Sequence, residues 1–139
     1  MIDRFDGEYA CLSNFYSFPV TYDGLVYPTV EHAYQAAKTT DPKVREIIRR
    51  AATPAIAKRL GRAVNLRPDW DAMRIRVMLH LLRDKFAQPS MRVKLLATGS
   101  QKLVEGNWWN DRFWGVCNGE GENYLGRLLM KVRREICEE

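Results

Sequence analysis

The sequence predicts a compact single domain, residues 1–139, with a predominantly α-helical α+β fold. Helix-start signals recur along most of the chain, whereas strand signals occur only in an N-terminal hairpin and near a Trp-rich segment. A chain of 139 residues, 46% hydrophobic and 28% charged, is long enough to bury one core. Because no repeat, linker or low-complexity tract interrupts it, one domain is expected.

The N-terminal part carries a hairpin followed by a helix. An Asp-Gly dipeptide, which tolerates the positive φ angles of a type I′ turn, separates the triplets Val20–Tyr22 and Leu25–Tyr27. The two triplets are therefore predicted to be antiparallel strands. After them, the hydroxyl of Thr29 provides a cap for a helix over residues 30–38.

Two further helices begin with the same device, a capping side chain before a proline. Asp41-Pro42 opens the first and Thr53-Pro54 opens the second, shorter one. Gly61 is expected to end the second helix. The apolar face predicted for the first helix consists of Val44, Ile47, Ile48 and Ala51.

A long helix is predicted to begin after Asp69 and to end near Pro89. Its expected core residues are Met73, Val77, Leu81 and Phe86. Ser90 is then expected to cap a short helix through Leu96, with Gly99 as its stop.

The sequence pattern changes in the C-terminal third of the chain. Residues 101–122 mix aromatic, Gly and Asn residues without sustained periodicity, which indicates a loop region with short strands. A helical stripe follows and predicts the core face of a closing helix, formed by Leu125, Leu128, Leu129, Val132 and Ile136.

Composition narrows the class of protein. No apolar run approaches the roughly 18 residues of a membrane span and the N-terminus lacks a signal-sequence pattern, so we expect a cytoplasmic protein. The three cysteines are widely spaced and form no C-x-x-C pair, and the histidines are only His32 and His80. We therefore expect no disulfide framework, no metal site and no cofactor.

The net charge of +5 is unevenly distributed. Residues 43–67 contain one acid, Glu46, and eight basic residues, namely Lys43, Arg45, Arg49, Arg50, Lys58, Arg59, Arg62 and Arg67. This balance indicates either an anionic partner, for example a ligand phosphate, or a set of solvated helix faces.

The predicted helix over residues 30–38 gathers polar side chains on one face. At 100° per residue, four of them fall within about a 100° arc opposite three alanines. The four are Glu31, Tyr34, Gln35 and Lys38. Because helical side chains lean towards the N-terminus, Lys38 reaches back towards Glu31. The face is either a reactive carboxylate and amine beside a cavity or an exposed surface, and His32 alone is more typical of a structural histidine.

Three other segments carry candidate binding residues. Residues 105–117 interleave aromatic rings with Asn and Asp, a pattern that either stacks on nucleobases or buries Trp in a satellite core. Residues 12–16 place a polar Ser-Asn pair between apolar neighbours, as in a pocket wall. The glycine-rich residues 119–126 precede a helix and are interpreted as a loop and cap.

Together, five blocks of the sequence resemble the NADAR family, also called YbiA-like. They are residues 12–16 (LSNFY), 30–38 (VEHAYQAAK), 57–62 (AKRLGR), 67–71 (RPDWD) and 109–115 (WNDRFWG). The resemblance implies a compact α-rich YbiA-like fold and N-glycosidase activity. Members of this family cleave the ribosylamine bond of early riboflavin-pathway intermediates, or remove ADP-ribose from guanine in nucleic acid. Both substrates contain phosphate and a bond between ribose C1 and nitrogen.

The resemblance also implies roles for individual residues. Cleavage develops positive charge at C1, which Glu31 is expected to stabilise. Lys38 is expected to act as an acid and phosphate contact or as a Schiff-base nucleophile, with Asp111 as a second carboxylate near the sugar. The expected substrate-binding residues are Asn14, Phe15, His32, Tyr34, Gln35, Lys58, Arg59, Arg62, Trp109 and Trp114.

Two alternatives remain at the level of sequence. One is a non-catalytic module that binds ADP-ribose or a related nucleotide through the same residues. The other is a nucleic-acid-binding protein that uses residues 43–67 and shows strongly salt-dependent affinity. For the enzyme, the expected partners are a ribosylamine phosphate or ADP-ribosylated guanine in nucleic acid, without a membrane, and the oligomeric state is open.

Overall fold

The computed structural model describes residues 1–139 and contains two compact units. The hairpin unit is Asn14–Lys85, and the terminal unit combines Met1–Ser13 with Phe86–Glu139. The single domain expected from the sequence stays a prediction. None of the helices has both the length and the apolar composition that are needed to cross a membrane.

A 3₁₀ helix, six α-helices and four short strands make up the chain. The 3₁₀ helix is Gly7–Leu12, and the strands are β1 (Val20–Tyr22), β2 (Leu25–Tyr27), β3 (Gly106–Asn107) and β4 (Val116–Cys117). The α-helices are α1 (Val30–Ala37), α2 (Pro42–Arg49), α3 (Pro54–Arg62), α4 (Trp70–Ala87), α5 (Pro89–Leu96) and α6 (Tyr124–Cys137). The predominantly helical α+β fold is confirmed.

The hairpin unit begins with the predicted antiparallel pair of strands. Val20 lies opposite Tyr27, and Tyr22 lies opposite Leu25. The two turn residues have positive φ angles, 47° at Asp23 and 80° at Gly24, as a type I′ turn requires. This local geometry therefore follows from the dipeptide alone.

Helix α1 is the internal element of the hairpin unit. Thr29 caps it, because the Thr29 hydroxyl oxygen accepts a hydrogen bond from the backbone N–H of His32 at 3.1 Å. The helix packs against α2, α3 and both hairpin strands, and all eight of its residues are buried. Alanines at positions 33, 36 and 37 have no exposed surface, so these neighbours approach the helix closely.

Helices α2 and α3 begin where the capping signals place them but differ in detail. The predicted apolar face of α2 is only partly core, because Ile48 is 1% exposed and Ile47 is 59% exposed. Periodicity defines an apolar stripe but not how much of it the neighbouring elements cover. Gly61 does not end α3; it is buried within the helix, which continues to Arg62.

The terminal unit contains the last two helices and the short parallel strands β3 and β4. Helix α5 starts at Pro89, so Ser90 lies inside it and is not the cap that the sequence predicted. Proline at the first helical position needs no N–H partner, and the helix begins two residues earlier than predicted, with Gln88 at the cap position. The predicted stripe of α6 is confirmed, since all five of its residues are buried.

The hairpin unit also buries one lysine that no periodicity predicted. Lys85, near the end of α4, has no exposed surface, and its ammonium group lies 5.5 Å from the ring centre of Tyr16. A charge held so far from solvent requires compensating contacts, and an aromatic face supplies one of them.

Candidate active site

Glu31 lies in the first turn of α1, inside the hairpin unit. Glu31 is only 7% exposed. Its backbone N–H donates a hydrogen bond to the carbonyl oxygen of Asn14 at 3.1 Å. The amino-terminal end of a helix favours a negative charge, so the position suits an ionised carboxylate. The hydrogen bond also fixes the segment that carries Asn14 against the start of the helix.

Gln35 lies one helical turn after Glu31 and contacts it. Its Nε2 donates to Oε1 of Glu31 at 3.4 Å, and the residue is 3% exposed. Its own Oε1 is buried and has no hydrogen-bond partner. An unsatisfied buried acceptor costs about 1–3 kcal/mol, so this orientation of the Gln35 amide lowers the stability of the folded protein by about that amount.

Lys38 follows the last helical residue and lies partly buried beside the same carboxylate. Burial lowers the pKa of the Lys38 ammonium group, Glu31 opposes this by raising the pKa, and Arg62 and Lys58 lower it further. The nitrogen lies 5.8 Å from the ring centre of Tyr34. Lys38 is therefore closer to its neutral, nucleophilic form at neutral pH than an exposed lysine is.

Tyr34 closes one side of this group of residues. Its ring is 6% exposed and packs at 5.2 Å between centres against the buried ring of Trp70, the first residue of α4. Two rings in tilted contact form a rigid apolar wall. The wall keeps Tyr34 in place beneath the Lys38 ammonium group.

Helix α3 supplies the cations nearest to Lys38. Lys58 and Arg62 are one turn apart on the same face, and both act electrostatically on Lys38. The Lys58 nitrogen also lies 6.0 Å from the ring centre of Phe15. Arg59 is exposed and, as the neighbour of Lys58 in the helix, points about 100° away from it.

Asn14 and Phe15 form the segment that meets the start of α1. The Asn14 amide nitrogen donates to the sulfur of Met78 at 3.6 Å, whereas its Oδ1 is buried without a hydrogen-bond partner. Phe15 is 41% exposed. The hairpin unit thus contains two buried side-chain amide oxygens that receive no hydrogen bond, Oδ1 of Asn14 and Oε1 of Gln35.

His32 has a structural position, which corrects its assignment as a substrate contact. It is 1% exposed, and both ring nitrogens bind within the protein, Nδ1 to the Thr29 hydroxyl at 2.8 Å and Nε2 to the Ala51 carbonyl at 3.0 Å. Because a carbonyl only accepts, Nε2 carries a proton that it donates to Ala51, and Nδ1 shares a hydrogen bond with the Thr29 hydroxyl. No ring nitrogen remains for a ligand.

Asp111 belongs to the terminal unit, and its carboxylate organises the loop around it. Its Oδ1 accepts from the backbone N–H groups of Phe113 at 3.1 Å and Trp114 at 2.9 Å. Asn107 completes the turn by bonding both the backbone N–H and the carbonyl of Asp111. This capping geometry gives Asp111 a structural role in the loop, and its catalytic role stays a prediction.

The tryptophans of the terminal unit divide into exposed and packed rings. Trp108 is 86% exposed, Trp109 is 47% exposed, and their ring centres are 5.5 Å apart in an edge-to-face contact. Trp114 is half-buried and packs against Phe113 at 4.8 Å. One part of this segment is therefore a satellite core and the other is an open aromatic surface, and stacking on a nucleobase stays a prediction.

Half of the basic residues in the segment 43–67 are engaged in ion pairs. Arg45 pairs with Asp23, and Arg67 pairs with Asp69. Hydrogen bonds from Arg49 and Arg50 lower the pKa of Glu46 to about 2. Four of the eight cations in this segment are therefore held by acids, and the cations beside the site are Lys58 and Arg62 of α3.

The sequence analysis missed three residues that shape the site, Gly61, Trp70 and Met78. Gly61 was predicted to end a helix. Trp70 and Met78 lie on the long helix α4, for which only other core residues were predicted. Two family blocks carried a usable signal: residues 57–62, in which a glycine stands inside an otherwise good helical sequence, and residues 67–71, which contain Trp70.

The hairpin unit thus brings together a buried carboxylate, a lysine of lowered pKa, two further cations and two unpaired amide oxygens. Carboxylate and amine can act on an electrophilic carbon, and the cations can hold an anion. The arrangement suits chemistry on a phosphorylated, hydroxyl-bearing molecule.

Comparison with known proteins agrees with this chemistry. The family model described as NADAR domain matches residues 3–137. The N-glycosidase YbiA of Shigella sonnei (strain Ss046) is 45% identical over 136 residues, which cover 95% of this chain and 84% of that protein. The riboflavin biosynthesis protein VVA0006 of Vibrio vulnificus is 41% identical over 137 residues, which cover 96% of this chain and 37% of that protein.

The NMR structure of the Escherichia coli protein YbiA has a similar fold. It superposes with a TM-score of 0.85 at 41% identity, covering 99% of this chain and 88% of that one. The family resemblance drawn from the sequence blocks is confirmed. The chain belongs to the NADAR domain family and is an N-glycosidase, a hydrolase of N-glycosyl bonds.

Proposed function

We propose that this N-glycosidase hydrolyses the bond between ribose C1 and nitrogen in a phosphorylated ribosylamine of the riboflavin pathway. The observation that carries the proposal is the buried Glu31 carboxylate beside Lys38, with Lys58 and Arg62 acting on the same lysine. The 41% identity to a protein named for riboflavin biosynthesis supports this substrate class. The cytoplasm, where such charged intermediates are retained, is the proposed location.

Glu31 acts on the sugar carbon in this proposal. The protonated imine that forms at C1 when the sugar ring opens carries positive charge, and a fixed carboxylate in a low-dielectric interior stabilises that charge strongly. The helix position and the Gln35 hydrogen bond keep the carboxylate in place before the substrate binds. The carboxylate also accepts a proton from the water that later adds to C1 of the Lys38 imine.

Lys38 is the proposed nucleophile. A ribosylamine opens to an imine at C1, and the neutral Lys38 amine adds to that carbon. The original C1–N bond then breaks, and the departing nitrogen takes a proton and leaves with its electron pair. Water hydrolyses the resulting Lys38 imine and returns the free amine and the aldehyde of the sugar phosphate, so one water is consumed for each bond cleaved.

The remaining residues are proposed to hold the substrate. Lys58 and Arg62 suit a phosphate, because both are cations on one face of α3. The buried, unpaired Oδ1 of Asn14 requires a donor, and a ribose hydroxyl supplies one whereas a phosphate oxygen does not. Trp109 is a proposed stacking surface for the base, and Phe15 and Tyr34 are proposed apolar contacts.

Mass analysis of the released base and sugar tests the proposal. The enzyme is incubated separately with a 5-phosphoribosylamino-pyrimidine and with ADP-ribosylated guanine in an oligonucleotide, each beside the Glu31→Gln variant. We expect free pyrimidine and ribose phosphate from the first substrate and little release by the variant. Release from the oligonucleotide alone would replace the metabolic substrate with the nucleic-acid one. Binding of ADP-ribose without release from either would contradict the proposal.

A further inference from the structure

Gly61 occupies an unusual place, the interior of a helix that faces the active site. It is buried in α3, and a Cβ atom at this position would overlap Oε1 of Gln35 and lie 2.7 Å from its Cδ. The side-chain amide of Gln35 therefore fills the space that any residue other than glycine would need. Because glycine is unfavourable within a helix, this packing is a specific reason for its presence.

The contact with Gly61 also determines which way the Gln35 amide points. Its Oε1 lies against the Gly61 backbone with no hydrogen-bond partner, and its Nε2 is turned to the Glu31 carboxylate. The opposite orientation would place two acceptor oxygens against each other. Glu31 therefore receives a donor because Gly61 leaves room for the other end of the amide.

We propose that Gly61 and Gln35 form a positioning pair that aims the Glu31 carboxylate at the sugar carbon. Gly61 acts through Gln35, and Gln35 acts through Glu31. The inference rests on the proposed catalytic role of Glu31. A purely structural role, in which Gly61 only lets α3 pack closely on α1, would affect folding but not turnover per folded molecule.

Steady-state kinetics of four variants separates these roles. Gly61→Ala forces the amide out of place, Gln35→Ala removes it, and the double variant does both. In the double variant the overlap with the amide is gone, but the contact of the added methyl group with the Cβ of residue 35, at 2.9 Å, remains and requires a small shift of the two helices. Ala55→Gly, at an exposed position of the same helix, is the matched control for altered helix stability.

We expect Gly61→Ala and Gln35→Ala each to lower kcat about tenfold or more, with KM changed by less than about threefold. The double variant is expected to be no slower than the slower single variant, because both changes break one chain of contacts. Ala55→Gly is expected to lower the thermal midpoint and to leave kcat unchanged. Assays are normalised to the folded fraction measured by circular dichroism.

Two results would overturn the positioning pair: wild-type kcat in folded Gly61→Ala, or losses that multiply in the double variant. If Gly61→Ala does not fold, Gln35→Ala decides alone, and an unchanged kcat in that variant rejects the pair. Glu31→Gln, measured in parallel, keeps the two proposals apart. Normal turnover of Glu31→Gln would refute the proposed function, whereas its loss beside an active Gly61→Ala would refute only the pair.

Discussion

Helix α1 and the aromatic loop, residues 105–117, hold their polar groups in opposite ways. In α1 every residue is buried, and its carboxylate and amide meet inside the hairpin unit. In the loop, Asn107 and Asp111 bond mainly to nearby backbone, and the neighbouring Trp108 is 86% exposed. A buried helix holds charged groups in fixed positions, as the proposed chemistry requires, whereas a capped loop presents an exposed aromatic surface, as the proposed binding of the base requires.

This difference predicts different consequences of mutation in the two regions. Changes in α1 should lower kcat, because its side chains are proposed to act on the reacting carbon. Changes in the loop should raise KM or lower stability, because its side chains hold the backbone and the rings.

Glu31→Gln should produce the largest loss. The amide has nearly the shape of the carboxylate but no charge to stabilise the positive sugar, so kcat should fall by roughly 10² or more with little change in KM. Single-turnover release of free base measures this effect. A variant that kept at least half of the wild-type turnover would remove Glu31 from the mechanism.

Lys38 should form a trappable covalent adduct. Because burial lowers the pKa of Lys38, the neutral amine becomes available at a lower pH than in an exposed lysine. Turnover should therefore rise as the pH increases through the lowered pKa of Lys38. Borohydride added during turnover should reduce the imine and leave a sugar phosphate on Lys38, located by peptide mass analysis. Lys38→Arg should give no adduct and lose activity by roughly 10². Full turnover without an adduct would limit Lys38 to acid or phosphate-binding roles.

Trp109→Ala should weaken binding and leave chemistry intact. Stacking on a base is worth roughly 1–3 kcal/mol, so KM should rise about tenfold while kcat changes little. Trp108→Ala is the matched control, because its ring is 86% exposed and is not a proposed substrate contact. Equal KM values for wild type and Trp109→Ala would exclude the proposed base platform.

Asp111 should show the smallest catalytic effect of the proposed site residues. Asp111→Ala removes the acceptor of two backbone N–H groups and should destabilise the protein by about 1–2 kcal/mol in urea unfolding. Asp111→Asn keeps an oxygen at that position and should cost less than about 0.5 kcal/mol. Equal stability of the alanine variant and wild type would contradict the capping role.

The sequence predicted those parts of the fold whose determinants are local. Caps at Thr29, Asp41 and Thr53 precede α1, α2 and α3 as expected, because each needs only one side chain and a nearby backbone N–H. The exposed side chain of Ile47 and the buried ammonium group of Lys85 were not predictable in the same way. Both depend on which elements cover a surface, and that is decided by tertiary packing.

The candidate site was predicted to a similar extent. Periodicity grouped Glu31 with Gln35 and Lys38, and the structure keeps them together. It could not reveal that both nitrogens of His32 are bonded within the protein, because the partner of one is the Ala51 carbonyl, remote in sequence. The role of Gly61 was equally hidden, since it depends on the Gln35 amide of another helix.

The most direct test of the division between the two regions is kcat for Glu31→Gln and Asp111→Asn, measured side by side. The substrate is the one from which the wild-type enzyme releases base, and both substitutions replace a carboxylate with an amide of the same size. We predict that Asp111→Asn retains turnover within about threefold of wild type, whereas Glu31→Gln loses roughly 10² or more. Equal losses in the two variants, or a larger loss in Asp111→Asn, would contradict the placement of the chemistry on α1.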